Sequence, residues 1–297
     1  MTGVQTCALP ILLPQSGGYP ITATCIVPVG VHFDMTGAYL TYNGTRNTTA
    51  LVIGATGADN RYVTARGIDV RSSTVDWVTS TNYIGVRAYN LDRSPCFETH
   101  RIEGFYVGLD VYADVSTGNA YNSYFVGDLL NNKFACRLSS VGATSFVNEN
   151  RFYNGRYGCS SSAVGLGDAY GVLITWDKAT SYRSHNNNRW VCPTFELIGA
   201  AGVARVPFWF DGAGSSCKVI AARHESNGGV FALCDAGTAG SGGAVHNEFD
   251  VTYVAGSFTT DGITQQNGAV GNLYNSFMPS NKVRAHYVSP DIVSAFK

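Results

Sequence analysis

The chain has 297 residues, a formal net charge of −1 and only 14% charged residues, against roughly 25% in an average globular protein. That charge balance gives no dense Lys/Arg footprint of the kind that drives nucleic-acid binding, and no run approaches the roughly 20 apolar residues of a membrane-spanning helix. At 45% hydrophobic the composition is not that of a disordered chain; 34 glycines and 12% aromatics suit many short strands joined by polar turns.

Taken in chain order, the first segment is MTGVQTCALPI. No Lys or Arg precedes Arg46, and Pro10 and Pro14 break the apolar stretch, so a secretory signal is not supported. The segment resembles the translation of a short-read sequencing adapter (ATG followed by ACT GGA GTT CAG ACG TGT GCT CTT CCG ATC). Residues 1–11 are therefore read as non-native, and 12–297 as one domain, expected to be a piece of a longer protein. Without Cys7, the cysteines Cys25, Cys96, Cys136, Cys159, Cys192, Cys217 and Cys234 are odd in number and form no C-x-x-C pair. Neither a disulfide framework nor a zinc site is signalled, and buried free thiols are expected. No compact Asp cluster for calcium is visible, so no metal and no other cofactor is expected.

Residues 12–82 read as N-terminal coils, with YPITATCIVPVGVHFDMTGAYLTY alternating like strands separated by glycine. The stretch VIGATGADN is Gly-rich but opens no helical pattern, so a phosphate cradle is not indicated. Residues 83–297 read as regular coils. NYIGVRAYNLDRSPCFETHRIEGFYVGLDVYA supplies two of them, and from Asn122 a triplet Asn-x-aromatic recurs at Asn122-Ser-Tyr124, Asn150-Arg-Phe152, Asn188-Arg-Trp190, Asn247-Glu-Phe249 and Asn275-Ser-Phe277, with a degenerate copy at Cys217-Lys-Val219. The steps are 28, 38, 29, 30 and 28 residues. Seven residues past the Asn position stand Leu129, Tyr157, Phe195, His224, Val254 and Lys282, flanked by mostly polar or small residues. That is the two-residue period of a strand with one buried face. A second apolar burst follows in each of four coils: FACRL, GVLIT, PFWFD and VFALC.

Two or three short strands per repeat, with no helical period, predict an all-β chain: a single-stranded parallel β-helix with coils of about 28–38 residues. It is expected to be right-handed, as parallel crossovers almost always are. The Asn column is expected to form a ladder of side-chain amides along the axis. The runs GVHFDMTGA, GVRAYNL, IEGFYVGLDV, AYNSYFVGDLLNNK and NENRFYNGR resemble the right-handed β-helices of the pectate-lyase superfamily, especially those of phage tail spikes and tail fibres. The resemblance implies a homotrimeric virion-tail protein that contacts bacterial surface polysaccharide and in some cases cleaves it. A secreted polysaccharide lyase or glycoside hydrolase, or a non-catalytic glycan-binding solenoid, are the alternatives. No nucleic-acid or membrane partner is expected.

The repeat register places Glu196 and Glu225 at the same outward position of adjacent coils, with Arg223 on that face and Arg156 and Asp128 further along it. A carboxylate pair is what glycoside hydrolysis requires, so Glu196 and Glu225 are the candidate acid/base pair. A lyase would need a cation or Arg to neutralise a uronate, a role open to Arg223. The competing reading is an outward ladder in which Arg223 balances both carboxylates. His224 falls at a position occupied elsewhere by apolar residues and is expected to face inward. Trp209 and Tyr253 are candidate sugar-stacking platforms if they face outward, and core residues if they do not.

Overall fold

Short β-branched and aromatic runs, many followed by Gly or Asn, give segments that pair along their length but are too brief to bury a face alone. The computed structural model describes residues 18–277 and 284–287, apart from 76–80, 116–117, 143, 160–166, 177–184, 200–202, 227–229, 236–243, 256–262, 268 and 270. The adapter-like segment 1–11 and Lys282 lie outside the described residues. The strands form sheets of 13, 9 and 4 strands, and in each the neighbours come from successive coils. Pairing is parallel throughout except for Leu273–Phe277 with Arg284–Tyr287, which is antiparallel. The molecule is a parallel β-helix, and no helix occurs among the described residues.

The first sheet carries the Asn-x-aromatic repeat. Its strands include Ser123–Leu130, Arg151–Cys159, Lys218–Ser226 and Glu248–Ala255. Tyr124, Phe152, Trp190, Val219 and Phe249 stand in one column, all fully or almost fully buried. Tyr124 stacks on Phe152 at 4.8 Å and Phe152 on Trp190 at 5.0 Å, with planes within 10°. Leu129, Tyr157, Phe195, His224 and Val254 form a second column. The columns are five residues apart, an odd number, so the strand must reverse its inward phase between them. Left-handed residues supply the reversal in three successive coils: Asn154 (φ 60°), Cys192 (φ 55°) and Ala221 (φ 54°). At Cys192 the strand splits in two, Arg189–Val191 and Thr194–Leu197.

The sixth copy of the repeat is displaced from the sequence reading. Phe249 pairs with Tyr274, and the amide ladder continues through Asn272 rather than Asn275. Asn272-Leu-Tyr274 is itself an Asn-x-aromatic triplet, three residues upstream of Asn275-Ser-Phe277, and it shortens the last step to 25 residues. Above it the ladder runs as expected. The Asn150 Oδ1 accepts the Asn122 backbone N–H at 3.1 Å and the Asn122 Nδ2–H at 2.9 Å, and the Asn188 Oδ1 accepts the Asn150 N–H at 3.1 Å. The Asn150 Nδ2 donates to the Asn119 carbonyl at 2.9 Å. In the coil where Cys217 stands, its backbone N–H donates to the Asn247 Oδ1 at 2.9 Å.

The four apolar bursts become strands Phe134–Ser140, Ala169–Ile174, Arg205–Asp211 and Ala232–Asp235 of the second sheet. The seven described cysteines are free thiols. Cys136, Cys159, Cys217 and Cys234 are buried, but Cys192, carried outward by its left-handed turn, is exposed, contrary to the expectation that the thiols are buried.

Candidate functional site

On the outer face of the first sheet, Glu196 sits beside Glu225 in adjacent coils. Arg156 lies beside Asp128 on one side and Thr194 on the other, and Thr194 lies beside Arg223. Each carboxylate is nonetheless held by its own arginine. Arg156 reaches across a coil to the Glu196 Oε2 through Nε at 2.7 Å and Nη2 at 2.6 Å. Arg223 grips Glu225 two residues along its own strand, with Nε at 2.9 Å from Oε1. The same alternation continues toward the N-terminus, where Arg101 pairs with Glu103 and Arg71 with Asp69. The five predicted residues Asp128, Arg156, Glu196, Arg223 and Glu225 therefore do share a face, within a ladder of alternating charge. Asp128 stands in register between Arg101 and Arg156. Tyr253 occupies the strand position beside Arg223, and its side chain lies outside what is described. His224 is inward and fully buried, its ring edge against Phe231 at 5.2 Å, and burial lowers its pKa to about 4.

Trp209 leads elsewhere. In Arg205–Asp211 the side chains of Phe208 and Phe210 enter the core, so Trp209 points out of the coil and remains half-buried. It meets Tyr170 at 5.0 Å, Tyr170 stacks on Phe134 at 5.2 Å, and Phe134 meets Tyr106 edge-on at 5.5 Å. Phe134, Tyr170 and Trp209 belong to an apolar cluster separate from the main core, built on Ile84, Val107, Phe134 and Leu173, and Tyr106 packs against both. An open cleft of about 430 Å³ runs along them, with Lys133, Arg137 and Asp211 at its edges. The result is an aromatic ledge crossing successive coils on the outside of the second sheet.

Beside the ledge lies a second cleft of about 580 Å³, which shares Asn82 and Arg137 with the first. Its floor is a charge cluster absent from the sequence reading. Asp110 is in register with Arg87 and Arg137 in the flanking coils and is fully buried. Oδ1 accepts from the Arg137 Nε at 2.8 Å and the Ser139 Oγ at 3.0 Å; Oδ2 accepts from the Arg137 Nη2 at 3.0 Å and the Arg87 Nε at 2.8 Å. Burial alone would raise the Asp110 pKa, but the charges and N–H groups of Arg137 and Arg87 outweigh it and hold the carboxyl below its ordinary value. The Arg87 guanidinium also lies over the Tyr112 ring at 4.5 Å, and burial pushes the Tyr112 hydroxyl up to about 12. The sequence carries this cluster as spacing, with Arg87, Asp110 and Arg137 one coil apart at outward positions, but Arg87 and Asp110 precede Asn122, where the regular triplet begins.

Among solved structures the chain is similar to ORF18 of Geobacillus virus E2, with a TM-score of 0.52 and 11% identity. The likeness is one of fold. It covers 89% of this chain and 53% of that one, so the chain spans about half the length of that protein. No protein-family model matches the chain, and no curated protein matches it.

Proposed function

We propose that this chain is part of the β-helical body of a phage tail spike or tail fibre of the pectate-lyase-superfamily type, assembled as a homotrimer, and that it binds bacterial surface polysaccharide. The observation that carries the binding reading is the ledge of Tyr106, Phe134, Tyr170 and Trp209 along an open cleft. Adjacent coils are about 4.8 Å apart, so the partly exposed Tyr106, Tyr170 and Trp209, packed around buried Phe134, offer an apolar strip along successive coils. A long repeating saccharide has the matching form, since the C–H faces of its rings can lie on aromatic rings while its hydroxyls meet polar groups such as Lys133 and Asp211 at the edges. The fold likeness to a viral protein supports the virion setting.

A second reading, hydrolysis by Glu196 and Glu225, draws on their neighbouring register. The ion pairs with Arg156 and Arg223 favour binding without cleavage: they already occupy Oε2 of Glu196 and Oε1 of Glu225, whereas hydrolysis needs both carboxyl groups turned to the glycosidic bond. One incubation with capsular and O-antigen polysaccharides separates the readings. Retention of a polysaccharide with no new reducing or unsaturated ends is expected. Cleavage lost in Glu196→Gln or Glu225→Gln would instead assign the site to hydrolysis.

A further inference from the structure

The cleft beside the aromatic ledge has a chemistry of its own. It is lined by Arg87 and Arg137 together with hydroxyl and amide side chains such as Thr49, Asn82 and Ser139, and no carboxylate lines it among the described residues. Asp110 lies beneath, saturated by the four bonds it accepts. Those bonds use only Nε and Nη2 of Arg137 and Nε of Arg87, so the Arg137 Nη1 and both Nη atoms of Arg87 are left over. The arginines are partly exposed, with side-chain accessibilities of 16% for Arg137 and 21% for Arg87. Two positive groups around one buried negative group leave an excess positive charge. The buried carboxylate fixes both guanidinium planes before any ligand arrives, which lowers the ordering cost of binding.

Resting on the glycan-binding reading above, we infer that the ligand is an anionic saccharide, whose carboxylate, sulfate or phosphate group enters this cleft and is held by Arg87 and Arg137 while neighbouring sugars lie on the Tyr170–Trp209 ledge. The two clefts meet at Arg137 and Asn82, so one chain of sugars can occupy both. Guanidinium N–H pairs match the geometry of oxyanions. Asp110 is a positioning residue, touching the arginines and not the ligand.

The test measures binding of the full chain to polygalacturonate and polysialic acid (carboxylate), dextran sulfate (sulfate), glycerol teichoic acid (phosphate), and neutral dextran and mannan, at two salt concentrations. Binding to one of the charged polymers is expected, at least tenfold tighter than to either neutral one and weaker at high salt. The polymer bound identifies the anionic group, and carboxyl reduction of a bound polyuronate or polysialate should abolish its binding. Arg87→Gln should weaken binding at least tenfold when measured well below its melting temperature, which should fall because buried Asp110 loses a charged donor; Arg87→Lys should lie in between on both counts. Arg87 is the variant of choice because it gives Asp110 one bond where Arg137 gives two. Neutral polymers bound as tightly as charged ones, or Arg87→Gln binding like the parent, would overturn the inference. If Trp209→Ala then abolishes neutral binding, the glycan reading stands without the charge preference. Binding to none of the six polymers overturns both.

Discussion

Asn150 shows what a single side chain does in this fold. Its amide is fully buried, accepts from the coil above and donates to the Asn119 carbonyl, so it satisfies polar groups that no water reaches. Asn150→Ala is expected to lower stability by about 2–4 kcal/mol, because it strands a backbone N–H and a carbonyl as well as leaving a void; urea denaturation checks this. His224 makes the opposite bargain with solvent. It is inward, neutral and held at a pKa of about 4 by burial, against about 6.5 in the unfolded chain. The unfolded state therefore binds more protons below pH 6.5, and stability should fall as pH drops from 6.5 toward 4, by on the order of 3 kcal/mol in all. In His224→Phe, which copies the Phe195 one coil away, that part of the pH dependence should vanish from a series of melting curves.

At the scale of the strand, the repeat was legible because the Asn column and the two apolar columns each serve an interaction with the next coil. The register it predicts is met from Tyr124 through Val254. The slip at Asn272 arose because two Asn-x-aromatic triplets lie three residues apart and only the neighbouring coil decides between them. The phase reversal at Asn154, Cys192 and Ala221 was hidden because two of the three are not residues that favour positive φ. The candidate carboxylates were placed correctly side by side, but their arginine partners depend on side-chain reach that register alone does not give. Those pairs are exposed, with accessibilities of 49% and 24% for Arg156 and Glu196. Glu196→Gln and Glu225→Gln should each change stability by less than about 1 kcal/mol and leave polysaccharide affinity intact, as read by denaturation and by a binding isotherm. Trp209→Ala, in contrast, should weaken binding about tenfold or more and also lower the melting temperature, since its half-buried ring packs on Tyr170 in the outer apolar cluster.

For the molecule as a whole, each coil buries its apolar face on its neighbours, so stability is distributed along the axis and not concentrated in one core. The same geometry lays outward residues in straight lines, and the proposed function rests on which lines are aromatic, which alternate in charge and which carry an excess of arginine. The first sheet presents the balanced charge ladder; the second presents the ledge and the Arg87–Asp110–Arg137 cluster. In the proposed homotrimer, light scattering should report three times the 31.7 kDa of one chain. The most direct test of the account is the structure of the protein bound to an oligosaccharide cut from whichever polysaccharide the binding assay identifies. The sugar is expected along Tyr106, Tyr170 and Trp209 on the second sheet, with an anionic group against Arg87 and Arg137. A sugar seated on the first sheet across Glu196 and Glu225 would contradict it.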